Sequence, residues 1–134
     1  MILKIKCFVN SSGRCEVNKI YGDSSENVRA GLDVALDFLK LRERGAWIRP
    51  NAAKLSKVPK GGFRDFFEIR FKADDVQQRP IGFFGPKEDE FTIVLWATEK
   101  GNKFVPEGWY GIASRNRDAI LNGKATVEPL ISEV

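Results

Sequence analysis

At 134 residues, with 43% hydrophobic and 30% charged side chains, the chain has the size and composition of one globular domain, residues 1–134, with its own core. Lys and Arg outnumber Asp and Glu by 22 to 18, there is no His, and there are two Cys. Those counts exclude Ser-His-Asp and Cys-His triads and leave the familiar zinc spacings without their ligands.

The longest apolar run, near FTIVLWA, is far short of the ~20 residues that span a bilayer. MILKIKCF lacks the long apolar region and small-residue cleavage site of a secretory signal. A cytoplasmic protein with no membrane partner is therefore expected. Neither a Walker-type loop nor GxGxxG occurs, so no cofactor is expected.

Residues 2–9 alternate, with Leu3, Ile5, Cys7 and Val9 on one face and Lys4 and Lys6 on the other, which predicts a half-buried strand. NSSG offers a turn, and RCEVNKI reads as a weaker returning strand. Cys7 and Cys15 would then face each other across a hairpin. That arrangement permits a disulfide, while a cytoplasmic setting favours reduced thiols.

Helical periodicity begins after Asp23, with Glu26 as a capping-box-like partner. Val28, Leu32, Ala35 and Leu39 form its stripe, widened by Leu36 and Phe38, and Gly45 is a natural stop. Pro50 suits the first turn of a short helix to about Lys57. From Phe63 the period becomes two: Phe63, Phe67, Ile69, Phe71 and Ala73 share one face, and Arg64, Glu68, Arg70 and Lys72 share the other with Phe66. A strand over about Gln77–Phe84 follows, in which Pro80 and Gly82 predict a bulge or an edge.

Glu90–Thr98 is a third strand, with Phe91, Ile93 and Leu95 toward the core. EKGNKFV is a polar loop before a last helix from Pro106 to about Asn122. The stripe of that helix is Trp109, Ile112, Ala113 and Ile120, with Arg115 and Arg117 turned away, and Gly123 ends it. KATVEPLIS is a candidate final strand. The expected fold is α+β: a mainly antiparallel twisted sheet with two helices in the N-terminal half and one C-terminal helix. The helix over 24–45 should pack on the apolar face of Phe67, Ile69, Phe71, Ile93 and Leu95.

Charge is not evenly spread. From Lys40 to Lys60 seven basic residues stand against one acid, Glu43. Such a patch attracts polyanions by Coulomb attraction and counterion release, and it equally describes a solvated surface. Arg70 and Arg79 lie in neighbouring aromatic-rich segments. Either they are ordinary strand arginines, Arg70 paired with Glu68, or they are two prongs of a phosphate site.

Four segments favour the second reading. GGFRDFFEIRF, QQRPIGFF, FTIVLWATEKGNKFVPEGWYGIASRNRDAI and, upstream, ERGAWIRPNAAKLSKV resemble, in order and spacing, motifs of the RelE/ParE toxin superfamily, particularly its HigB-like, phage-derived branch. The resemblance spans roughly residues 44 to 122. It implies a small RelE-like domain and a type II toxin, a ribosome-dependent mRNA endonuclease held inactive by a cognate antitoxin from an adjacent gene. A ParE-like gyrase-targeting toxin, or a catalytically silent RelE-fold module that binds nucleic acid or a partner, are the alternatives.

Cleavage of this type uses the RNA 2′-OH as nucleophile, with basic side chains offsetting phosphorane charge and no metal. The motif match carries over Arg70, Arg79 and Lys100 as catalytic residues, with Lys103 a looser match. Arg49, Lys54, Lys57, Lys60, Arg64, Lys72 and Lys103 are the implied contacts to mRNA and ribosome. The sequence departs from the pattern at Trp96-Ala97-Thr98, where the family often has histidine, at Val105, where a helix-capping threonine is usual, and in a tail without aromatic or histidine. The general base is thus unassigned by motif, with Tyr110 and Glu99 as candidates.

Overall fold

In the computed structural model, which describes residues 2–134, the alternation of the N-terminal segment becomes strand β1 (Lys4–Val9), with Ile5, Cys7 and Val9 buried. The following turn closes on Asn10, whose side-chain carbonyl accepts from the Ser12 and Arg14 amides, both at 3.0 Å. The chain leaves that turn as a helix. RCEVNKI, expected to return as a strand, falls largely in α1 (Glu16–Asp23). The reason is visible in the spacing: Val17 and Tyr21, four apart, are both buried, whereas a strand reading would have put Lys19 between them on the inner face.

Helix α2 (Glu26–Leu39) is capped by Ser25, whose hydroxyl accepts from the Val28 amide at 3.2 Å. Asp23, expected at that start, instead ends α1 and pairs with Lys19 at 2.7 Å. The predicted stripe holds for Val28, Leu32, Ala35, Leu36 and Leu39, while Phe38 is exposed beneath the Arg42 guanidinium. The helix stops at Leu39, before Gly45, because the buried Trp47 folds back and donates its indole N–H to the Leu39 carbonyl at 3.0 Å. A 3-10 turn at Arg44–Ala46 carries the chain around that ring.

Residues 50–57, expected to be helical, hold the short edge strand β2 (Ala52–Lys54). Ala52 is fully buried opposite Ile69, and pairing with the next strand supplies the hydrogen bonds that an isolated helix of about eight residues would largely lack. The long strand read from Phe63 is two short ones, β3 (Phe67–Ile69) and β4 (Phe71–Ala73), interrupted at Arg70. Both pair with β5 (Val76–Phe84), and Arg79 and Pro80 fall in the gap between the two pairings, where the missing N–H of Pro80 breaks no ladder bond. Asp74 and Asp75 take positive φ of 53° and 60° to close the β4–β5 hairpin.

Strand β6 (Glu90–Lys100) runs antiparallel to β5 with a register shift at Ile81/Gly82, the irregularity anticipated from Gly82. A Cβ at Gly82 would lie 2.2 Å from the Thr92 carbonyl oxygen, so only glycine fits this approach. The shift reverses the inward face of β6. Phe91, Ile93 and Trp96 belong to one core, and Val94 and Ala97 to the other. Leu95, expected beside Phe91 and Ile93, therefore packs on the opposite side.

The loop expected at EKGNKFV is a hairpin to β7 (Lys103–Val105), turned by Gly101 and Asn102 at φ 57° and 65°. Helix α3 (Trp109–Leu121) and strand β8 (Thr126–Pro129) complete the chain.

The main sheet order is β2-β3-β5-β6-β1-β8, with β4 beside β5 and β7 beside β6. The sheet is mixed: among the described residues β1 and β6 pair parallel and the other pairings are antiparallel. Helices α1 and α2 cover one face over Leu32, Leu36, Trp47, Phe67, Ile69 and Phe91. Helix α3 covers the other over Phe66, Ile81, Phe83 and Ala97. Arg117, expected to point away, lies with its guanidinium 3.6 Å from the Phe63 ring centre. Among the described residues no helix is long and apolar enough to cross a membrane.

Candidate functional site

On the α3 face, β2 and β3 at one side and the β6–β7 hairpin at the other leave a cleft of about 390 Å³. Its walls include Arg49, Lys54, Lys57, Arg70, Asn102, Phe104 and Trp109, and its floor carries Glu68 and Glu99. An adjoining recess of about 330 Å³ shares Arg49, Arg70, Glu99 and Asn102 and reaches Gln77 and Arg79. The pleat explains the convergence. Ala53 stands opposite Glu68, Arg79 opposite Ala97, and Gln77 opposite Glu99, so these side chains project to one face from four strands. The tight Gly101–Asn102 turn then brings Asn102 to the rim.

The floor is a chain of alternating charges. Arg70 Nη1 donates to Glu68 Oε1 at 2.5 Å, and Arg79 Nε donates to Glu99 Oε1 at 2.9 Å while standing 3.8 Å from Glu68 Oε2. Arg79 is 3% exposed, and its remaining donors reach the Gln78 carbonyl at 2.8 Å and Gln77 Oε1 at 3.0 Å. Burial, followed by the like charge of Arg70, pulls its pKa down, while Glu99 and Glu68 oppose that shift. An arginine so surrounded keeps its proton at any ordinary pH. Glu68 Oε2 is buried and accepts no hydrogen bond, a spare acceptor beside the cleft.

Two arginines and two glutamates cancel, so the net charge of the cleft comes from its walls. Lys54 is partly neutralised by Asp65 at 2.9 Å, and Lys54 in turn holds the Asp65 carboxyl below its ordinary range. Arg49 and Lys57 form no ion pair among the described residues. The Phe104 and Trp109 rings meet edge to face at 5.5 Å and give the cleft an aromatic wall.

The residues singled out in sequence thus divide. Arg49, Lys54, Lys57 and Arg70 line the cleft, and Arg79 lies at the back of the adjoining recess with its donors engaged, so the expected pair of free arginine prongs is replaced by one accessible arginine and one internal one. Lys100 and Lys103 pair across the far hairpin, exposed and outside both recesses. Lys60, Arg64 and Lys72 are likewise exposed and outside them.

Of the two candidate bases, Tyr110 donates to the Phe63 carbonyl at 2.9 Å and packs on Phe66, away from the cleft, whereas Glu99 lines it. Sequence reading missed Glu68, Asn102, Phe104 and Trp109 as cleft residues. The parity of Glu68 with Arg70 was the one available signal. No protein-family model, curated protein or solved structure matches the chain.

Proposed function

We propose that this chain is a type II toxin of the RelE/ParE superfamily, HigB-like branch, that cleaves mRNA at the ribosome without a metal, and that a cognate antitoxin restrains it. The observation that carries this reading is the cleft itself: cationic and aromatic walls around two carboxylates, built from the segments whose motifs resemble that family. Arg49, Lys57 and Arg70 suit the phosphate oxygens, and Trp109 and Phe104 suit a stacked base.

Glu99 is the proton acceptor of the proposal. Its side chain is 23% exposed, and Arg79 fixes it from behind through the Nε–Oε1 hydrogen bond. A ribose 2′-OH beside Glu99 would give its proton to that carboxylate as the oxygen attacks the adjacent phosphorus, and the P–O5′ bond would break to leave a 2′,3′-cyclic phosphate and a 5′-oxygen that takes its proton from solvent. Arg70 would offset the negative charge that grows on the phosphoryl oxygens. In this scheme Arg79 is a positioning residue, and Lys100, outside the cleft, has no part in the chemistry.

The test is induced expression in cells, with mRNA ends mapped. Growth arrest with mRNA cut inside translated codons, relieved by co-expressing the adjacent gene product, is the expected result. Arrest with intact mRNA and trapped gyrase–DNA complexes would select a ParE-like toxin. One observation favours the silent binding module: both floor arginines are already held by carboxylates. Absence of arrest, with stable protein that still binds RNA, would establish that reading instead.

A further inference from the structure

On the opposite face of the sheet, and apart from the proposed RNA cleft, the two cysteines come together. Cys7 is in the middle of β1 and is fully buried, and Cys15 is the half-buried residue just before α1. Both free thiols pack into one core beneath α1 and α2, Cys15 just before α1 and Cys7 against the first turn of that helix. The contact does not arise from the hairpin expected in sequence. It arises because the Asn10 turn folds the start of α1 back over β1. Asn18, in the first turn of that helix, holds its Oδ1 3.8 Å from Cys7 Sγ and also ties the C-terminal segment through Glu128, Pro129 and Ile131.

The two sulfurs differ in reactivity. Cys15 is drawn toward the thiolate first by the Cys7 S–H, then by the Asn18 and Val17 amides of the first helical turn, against its partial burial and the nearby Glu128 carboxylate. Cys7 is shifted the other way by the same contact and by burial, and stays protonated. One thiol is therefore reachable and nucleophilic, and the other is shielded and positioned behind it.

We propose that Cys15 and Cys7 are a dithiol–disulfide site, in which Cys15 reacts with a low-molecular-weight disulfide and Cys7 resolves the adduct into an internal cross-link between β1 and α1. In the first step the Cys15 thiolate attacks one sulfur of the small disulfide RSSR, forming Cys15–S–S–R and expelling RS⁻. In the second, Cys7 attacks Cys15 Sγ and passes its proton to the departing sulfur, which leaves as RSH, while the first RS⁻ takes up from solvent the proton that Cys15 had lost. Overall the two protein thiols are oxidised and RSSR is reduced to two RSH. This site is independent of the RNA reading and stands or falls separately.

The test uses the full folded chain, freed of reductant and incubated with oxidised glutathione, then denatured and alkylated before intact-mass analysis. The expected product has lost the mass of two hydrogens, takes no alkyl label, yields a Cys7–Cys15-linked peptide on digestion, and returns to two labelled thiols with dithiothreitol. Cys7→Ala should halt at one glutathionyl group on Cys15, and Cys15→Ser should stay unmodified while folded. Wild-type protein that keeps both thiols, accumulates a persistent glutathionyl adduct, or forms disulfide-linked dimers would overturn the proposal. The wild-type peptide map decides the matter even where a variant fails to fold.

Discussion

Arg79 and Glu99 show how one ion pair divides into a structural half and an exposed half. Arg79 is enclosed, with hydrogen-bonding partners supplied by β4, β5 and β6, while Glu99 opens to the cleft. Arg79→Ala would leave Glu68 and Glu99 without their shared cation, and unfolding should show a loss of about 3–5 kcal/mol. Glu99→Gln keeps an acceptor for Arg79 Nε but removes the base. It should cut RNA cleavage by about 10²–10⁴-fold with RNA binding little changed, and, because Glu68 still stands beside Arg79, it should lower stability less than Arg79→Ala does. Cleavage by Glu99→Gln at the wild-type rate would remove Glu99 from the chemistry.

Elements owe their boundaries to contacts between distant residues. The β5–β6 register shift depends on Gly82, and Gly82→Ala would drive a methyl into the Thr92 carbonyl. We expect a cost of at least about 1–3 kcal/mol, read as a lower Tm in calorimetry. A stable Gly82→Ala protein would mean that the two strands can slide apart there. Helices α1 and α2 are joined by the buried Tyr21, whose hydroxyl donates to Asp33 at 2.9 Å.

Burial first, and the Asp33 hydrogen bond next, raise the Tyr21 pKa above its ordinary 10.0. The folded state therefore holds this proton to higher pH than the unfolded chain. Its contribution is complete below pH 10.0 and is lost as pH rises beyond it toward the folded pKa. Tyr21→Phe should flatten that part of the alkaline decline in denaturant midpoint; an unchanged decline would assign it to other groups.

For the molecule as a whole, the net charge of +4 says less than where the unpaired cations stand. Arg49 and Lys57 flank the cleft, whereas Lys100 and Lys103 are on a hairpin outside it. Each phosphate contact to single-stranded RNA adds about 0.7 to the slope of log affinity against log salt. The Arg49→Ala, Lys57→Ala double variant should make that slope shallower by about 1.4, measured by fluorescence anisotropy. Lys100→Ala with Lys103→Ala should leave it unchanged. Equal effects from both pairs would mean that RNA is held by diffuse charge and that the cleft has no privileged role.

Much of this was legible in the sequence where local periodicity and burial agree. The stripe from Val28 to Leu39, the alternation of β1, the irregularity at Gly82 and the C-terminal helix follow from spacing alone, because each side chain's face is set by the residues beside it. So does the concentration of cations between Lys40 and Lys60. What the tertiary structure decided was every outcome that needed a partner from elsewhere: α1 in place of a strand, β2 in place of a helix, Leu95 on the far face, and α2 ending under Trp47.

The candidate site belongs to the second group. Glu68, Arg70, Arg79 and Glu99 come from three strands and a strand junction, and whether an arginine there is free or spent depends on which carboxylates the sheet register sets against it. A one-dimensional pattern specifies which face a charge takes, but only the folded sheet specifies what that charge meets.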